Sequence, residues 1–262
     1  MVRTNGAETL GADVYVQLRS DILDGRYLPG ERLQPAKLAA TYGVSAGVIR
    51  EALTRLAEQR LTVVEPNRGH RVVTISVKQI RDLVQLRQIN ECAALRLSME
   101  HGDAAWEGEV LAAHHRLRSV GPVLEAPADA WAAAHRDYHM ALFSACGNER
   151  LLRLCEELFA ASELYRRWSS GPVDERTPDE RRARGAEVDA EHAAILEAVL
   201  ARDADRAVAL YHEHLEHTAR NAGAAVEAAA RRIAAQEALS RGAAPGSGSP
   251  RAAADGTARR PR

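Results

Sequence analysis

The sequence predicts a mainly α-helical protein: an N-terminal winged helix-turn-helix of three helices and a two-stranded wing, then an all-α antiparallel bundle of six to seven helices. Three observations predict it. Apolar residues recur at helical spacing in short segments up to Gln59, two β-branched runs flank a Pro-Asn-Arg-Gly turn, and beyond Ser76 the pattern is helical.

Val14, Leu18, Ile22 and Leu23 share one helical face before the breakers between Gly25 and Gly30, which end a first helix. Pro35 suits the first turn of a short second helix to Tyr42, where a missing amide donor costs little. Gly43 permits a tight turn. Ser45 is a natural N-cap for a third helix to about Gln59, with Val48, Ile49, Ala52, Leu53 and Leu56 as its buried stripe. Leu61–Glu65 and His70–Ile75 then read as the hairpin of the wing. Ser76 and Gln79 form a capping box that opens the helical region, with helices expected at about 77–100, 104–119, 128–145, 149–169, 178–201 and 204–236. The run Thr177-Pro178-Asp179-Glu180 supplies cap, proline and N3 glutamate together.

At 262 residues the chain has length for two cores, and it divides into a flexible N-terminus (1–12), the winged helix (13–75), an all-helical domain (76–236) and a tail (237–262). Beyond about Leu239 the tail is mostly Ala, Gly, Ser, Pro and Arg with almost no large apolar residue, unable to offset its ordering entropy by burial, and is expected to be disordered. The net charge of −1 conceals an uneven distribution, with ten Lys/Arg against eight Asp/Glu up to residue 75 and seven Arg against two acids from Ala228 onward. Whole-chain charge therefore argues neither for nor against a nucleic-acid partner. Cys92, Cys146 and Cys155 are odd in number and lack Cys-x-x-Cys spacing, which fits reduced core residues in a reducing compartment. No run reaches signal-peptide or membrane-span character, so a cytoplasmic protein without a membrane partner is expected.

A recognition helix works by placing its N-terminal side chains at base edges in the major groove. Here those positions are Ser45, Ala46, Gly47 and Arg50, and Arg50 suits a bidentate contact to guanine or a phosphate clamp. The rival reading pairs Arg50 with Glu51 or Glu58. Arg68, Gly69, His70 and Arg71 make a basic hairpin tip able to approach the minor groove or backbone, and Lys37 is a candidate phosphate contact.

His135 and His139 are four apart, one turn on one helix face, a spacing that suits two ligands of one metal ion. His192 and His214 lie on later helices and join them only if the bundle brings those helices together. His101, His114, His115, His212 and His217 read as solvated.

Residues 14–75 resemble the winged helix of the GntR family of bacterial transcription regulators, through Leu28-Pro-Gly-Glu-Arg-Leu33, Leu38-Ala39, Gly43-Val44-Ser45 and Val48-Ile49-Arg50-Glu51-Ala52-Leu53. The helical part resembles the FCD effector-binding domain of the FadR-type branch, through Arg87-x-x-x-Glu91, Tyr138-His139, Cys146-Gly147-Asn148, Glu191-His192 with Ile195 and Ala198, and Ala207 followed by His214-Leu215. Together these motifs span about residues 14–220.

The resemblance implies a homodimer on double-stranded operator DNA, acting as a repressor relieved by a small organic-acid or sugar-acid effector. Dimerisation also fits paired half-sites. The chain departs from the family pattern at three places: Ala46 stands where Arg usually follows the Ser/Thr, Ala36 where a basic residue is common, and Val48 where proline is common. One lost bidentate base contact removes about 1 to 3 kcal/mol of discrimination, so a variant operator is expected.

In such FCD domains an aspartate and three histidines bind a divalent metal, often zinc or nickel. His139, His192 and His214 match the histidines, and His135 occupies the aspartate position. All-nitrogen ligation favours Zn²⁺, Ni²⁺ or Cu²⁺ over Mg²⁺, Ca²⁺ or Mn²⁺. Asp137, two residues from His139, faces another side of the helix and does not replace the lost carboxylate. Arg87 is a candidate clamp on an effector carboxylate, against the rival of an i,i+4 pair with Glu91. Asn148 is the other expected effector contact. Two other functions remain open: a regulator that senses metal directly, and a His-ligated metal hydrolase. The hydrolase reading has no His-Glu-x-x-His helix, nucleophile elbow or phosphate-cradling loop to carry it.

Overall fold

The structure, a computed structural model, describes residues 5–65, 69–122, 127–168 and 177–242. The head comprises α1 (Asn5–Leu23), β1 (Arg32–Leu33), α2 (Pro35–Tyr42), α3 (Ala46–Glu58), β2 (Thr62–Glu65) and β3 (Gly69–Val72). Behind it follow α4 (Val77–His101), α5 (Ala104–Val120), α6 (Ala128–Phe143), α7 (Glu149–Ala161), α8 (Glu163–Trp168), α9 (Pro178–Leu200) and α10 (Ala204–Gly242).

The head forms as the local chemistry dictates. Gly43 closes α2 in the left-handed region at φ 67°, and the Ser45 side chain accepts from the Val48 amide to open α3. Ile49, Ala52, Leu53 and Leu56 turn inward from α3 and meet Val14, Leu18, Ile22 and Leu23 of α1. The wing carries one strand more than expected. Short β1 pairs with β3, giving an antiparallel sheet in the order β1-β3-β2 with Leu33 and Val64 both opposite His70. β3 ends at Val72 rather than Ile75: the Val73 amide still donates to the Leu61 carbonyl in register, but the Leu61 amide goes to the Leu56 carbonyl at the end of α3, so the reciprocal bond is not made.

Both expected capping boxes are present, Ser76 with Gln79 at α4 and Thr177 with Glu180 at α9. The bundle packs around Ile80, Val84, Leu95, Val110, Phe143 and Tyr211, among others.

Three features differ from the sequence expectation. The single helix expected over 149–169 breaks at Ser162, whose hydroxyl donates to the Phe159 carbonyl at 2.6 Å. The break re-aims the chain, so that Leu164 and Trp168 of α8 lie in the core of the head. α1 starts at Asn5, inside the stretch expected to be flexible, and α10 runs on to Gly242, six residues into the expected tail. Glu237, Ala238, Leu239 and Arg241 are good helix formers, so propensity carries α10 past the point where burial-based reasoning ends it. The rest of the tail, from residue 243, lies outside the described residues.

Head and bundle are joined by more than a linker. Trp168 Nε1 donates to the Ile22 carbonyl at 3.1 Å, Arg19 pairs with Glu163 at 2.8 Å, and Leu28 packs on Ala229 and Ile233 of α10.

Candidate functional site

α6 carries His135 and His139 one turn apart, α9 brings in His192 and α10 brings in His214. All four are buried, with exposures of 4, 0, 1 and 4%. One ligand nitrogen from each lies within 4.8 Å of the others. The Nε2 atoms of His135 and His139 are 3.0 Å apart. The convergence that sequence left conditional is therefore present.

Burial pushes the imidazoles of His135, His139 and His192 well below their ordinary pKa, and mutual repulsion and nearby arginines push the same way. His214 is lowered too, by burial, although Glu191 pulls against it. At neutral pH the cluster is thus a set of neutral rings with lone pairs to offer.

Neighbouring groups orient these rings. The His214 Nδ1–H donates to Glu191 Oε2 at 2.7 Å, leaving Nε2 for the cluster. Glu191 also accepts from His217 Nδ1 at 2.7 Å; burial alone would raise its carboxyl, but these hydrogen bonds and Arg184 hold it at about 2. The His139 Nδ1 lies 2.9 Å from the Tyr211 hydroxyl, which in turn donates to Glu91. The hydroxyl behind His139 and the carboxylate behind His214 are of the kind that fixes tautomer and ring angle in histidine metal sites.

His192 is the test of fit. Neither of its ring nitrogens has a hydrogen-bond partner although both are buried, while its carbonyl is anchored by the Tyr138 hydroxyl at 3.0 Å. A buried polar atom without a partner costs free energy, and a divalent cation among four neutral imidazoles is the occupant that would satisfy it. The residues present fit such an ion.

At the other end, Lys37, Ser45, Gly47 and Arg50 are exposed and Ala46 is half-buried. Among the described residues Arg50 makes no ion pair with Glu51 or Glu58. Gly69 opens β3 at φ 84°, opposite Glu65. His70 is half-buried in the strand, where burial lowers its pKa. Arg71 is pinned to Glu65 at 2.9 Å and to the Gly30 carbonyl at 2.7 Å, so it holds the wing together. Arg68 lies outside the described residues.

Comparison with known proteins decides the family. Residues 10–72 match the model of bacterial regulatory proteins of the gntR family, and residues 82–217 match the FCD domain. The chain belongs to the GntR family, in its FCD-domain branch. It is a transcriptional regulator with a helix-turn-helix DNA-binding domain. An uncharacterized HTH-type transcriptional regulator, BphR of Paraburkholderia xenovorans (strain LB400), is 37% identical over 206 residues, covering 77% of this chain and 80% of that one. The HTH-type transcriptional repressor GlaR of Escherichia coli (strain K12) is 32% identical, covering 78% of this chain and 91% of its own. Among solved structures, a transcriptional regulator GntR from Rhodococcus sp. RHA1 is 26% identical with a TM-score of 0.55, covering 81% of this chain and 96% of that one. The families and relatives are regulators rather than enzymes, which sets the hydrolase alternative aside. No described helix is long and apolar enough to cross a membrane.

Within this GntR regulator two expected effector contacts sit differently. Arg87 is 1% exposed and is bound bidentately to Glu91, Nε to Oε1 at 2.7 Å and Nη2 to Oε2 at 3.0 Å, as the rival reading had it. Its remaining Nη1 reaches the Tyr165 hydroxyl at 3.4 Å. Asn148 is exposed and caps α7 through the amides of Arg150 and Leu151, so its side chain is spent on the helix terminus. His114 and His217, read as solvated, are half-buried; His114 packs edge-on against Tyr138 and His217 holds Glu191.

Sequence reasoning missed several residues that touch the histidine cluster. Tyr211 precedes His214 by three, on the same helix face, and that spacing was a usable signal. Trp131 stacks on His135 with ring centroids 4.4 Å apart, one turn earlier on α6. Arg166 donates from Nη1 to His135 Nδ1 at 3.1 Å and lies over the Phe159 ring; nothing in the sequence near it announces that contact.

Proposed function

We propose that this regulator is a dimeric, metabolite-responsive repressor that holds a divalent metal, zinc or nickel, on His135, His139, His192 and His214 and senses a small carboxylate beside it. The observation that carries the reading is the pair of buried, unpartnered nitrogens on His192 within a cluster of four neutral imidazoles. When bound, such an ion supplies a fixed positive charge and open coordination positions for an anion.

Two arginines support an acidic effector. Arg166 is half-buried against His135, and desolvation beside Arg87 lowers it only to about 10, so it stays cationic. Arg87 keeps its charge through Glu91 and is the weaker candidate for a direct clamp, because its fork is already engaged. Asn148, spent on its helix cap, is not carried forward as an effector ligand.

On the DNA side, Ser45, Ala46, Gly47 and Arg50 read the major groove, Lys37 holds a phosphate, and Arg68, Gly69 and His70 approach the backbone or minor groove from the wing. Ala46 can offer a base only an apolar contact and no hydrogen bond, which points to an operator that departs from the common family half-site. Two half-sites require two heads, hence the dimer. That a relative is a repressor supports the same sign here.

The test combines operator binding with ligand screening. Affinity should fall steeply with salt, and an organic acid that counts should raise the melting temperature of zinc-loaded protein and release it from DNA. A melting response to acids that is the same after chelation would remove the metal from the sensing mechanism. Release from DNA by zinc alone, with no acid needed, would make the protein a direct metal sensor.

A further inference from the structure

His135 is held at both of its ring nitrogens. Its Nδ1 faces Arg166 Nη1 at 3.1 Å and its Nε2 faces His139 Nε2 at 3.0 Å. A guanidinium has only donors, so His135 Nδ1 must accept, and a neutral ring then carries its proton on Nε2. Donor and acceptor roles run consistently onward from there. His135 Nε2–H donates to His139 Nε2, His139 Nδ1–H donates to the Tyr211 oxygen, and the Tyr211 hydroxyl donates to Glu91.

Ligation of a metal by His135 breaks this chain at its first link. Through Nε2, the proton there must pass to Nδ1, where it would confront an Arg166 N–H, donor against donor. Through Nδ1, the ion takes the lone pair that Arg166 uses. Neither route changes the number of protons on the ring. His139 and His214 need no such rearrangement, because their Nδ1 atoms face Tyr211 and Glu191.

Arg166 sits on α8, whose flanking residues grip the head. Leu164 and Trp168 lie in the head's core, Trp168 Nε1 donates to the Ile22 carbonyl, and Glu163 pairs with Arg19. A cavity of about 510 Å³ lies alongside, lined by Leu23, Leu61 and Ile75 on one side and by Ala160, Leu164 and Tyr165 on the other. This space leaves room for the short helix to shift.

We propose that Arg166 and a metal ion compete for His135, and that α8 passes the outcome of this competition to the DNA-binding head. The inference rests on the metal reading given above and assigns Arg166 as a positioning residue.

The experiment uses full-length, ¹⁵N-labelled protein with zinc ion as the probe, followed by imidazole nitrogen resonances, chelator competition and operator binding. On adding zinc, His135 Nδ1 changes from acceptor type to N–H type, or to metal-bound type. Arg166→Met, which removes a charge-assisted hydrogen bond that competes with the ion, binds zinc roughly tenfold or more tighter. Zinc tightens wild-type operator binding by about 5- to 150-fold, the usual range of coupling between sites, so that release still requires the acid, and shifts the Arg166→Met variant by no more than about twofold. Arg166→Lys, which keeps a donor, falls between the two and guards against a mere folding defect. Trp168→Phe, which deletes the bond to Ile22, binds zinc as wild type does but loses the operator response. Zinc bound with His135 Nδ1 still accepting from Arg166, or equal zinc affinity in wild type and Arg166→Met, overturns the competition alone. A wild-type protein that binds no zinc overturns the metal reading and the competition with it.

Discussion

Glu191 on α9 and His214 on α10 meet through a 2.7 Å hydrogen bond that fixes which nitrogen of His214 faces the cluster. The same carboxylate holds His217, so one acid sets the inner edge of the site from a neighbouring helix. Groups of this kind tune histidine sites by raising ligand basicity and locking the ring. Glu191→Gln keeps the size but loses the charge. Its zinc affinity should fall by about 10- to 100-fold, measured by chelator competition.

Acid should destabilise the metal-free protein earlier than its carboxylates require. The cluster imidazoles are depressed in the folded state, so below the ordinary value of about 6.5 the unfolded chain takes up protons that the folded chain refuses. The stability they contribute is complete above that value and is lost as pH falls toward the depressed folded values. With chelator present, the melting temperature should drop between pH 7 and pH 5. A flat profile there would contradict neutral buried rings. Glu191, held at about 2, stays charged throughout this window and does not mask the effect.

Arg87→Met separates a structural from an effector role. Removing the guanidinium strands the fully buried Glu91 without its bidentate partner, a change that typically costs about 3 to 5 kcal/mol. Urea unfolding should show a loss of that order. Loss of acid binding at unchanged stability would instead return Arg87 to the role of effector clamp.

Arg50→Ala should weaken operator binding and relax sequence discrimination by about 1 to 3 kcal/mol if Arg50 reads a base. If it holds a phosphate, binding weakens equally on all sequences and the salt slope falls by about 1. Lys37→Ala should show only the second pattern.

Ala46→Arg restores the side chain that the family pattern places after Ser45. A selection of random operators should recover a different preferred half-site for the variant than for the parent. Identical preferred sites would mean that position 46 does not reach the bases.

Most of the head was legible because its elements carry their own local signals: Pro35 and Gly43 bracket α2, Ser45 caps α3, and β-branched runs flank the turn. β1 was not, since two residues paired across a long loop leave no periodic trace. The four cluster histidines were legible in part by spacing and in part by resemblance to the FCD domain. Their partners were not. Glu191 acts on His214 twenty-three positions away, a pairing set by how α9 lies on α10. Arg166 reaches His135 because the helix breaks at Ser162 within a run, Leu158-Phe-Ala-Ala-Ser-Glu-Leu164, that contains no Gly or Pro and reads as continuous. Asn148 shows the reverse: its local chemistry, an N-cap before Glu149, is what the structure displays, and the effector role came from resemblance alone.

The central claim is that four buried imidazoles form one metal centre, and metal content measured by mass spectrometry tests it most directly. Wild-type protein equilibrated with zinc and passed through a desalting column should retain about one equivalent per chain, and the His139→Ala, His192→Ala double variant should retain none while still binding operator DNA. Equal metal content in the two proteins, or no retained metal in the wild type, would contradict the account.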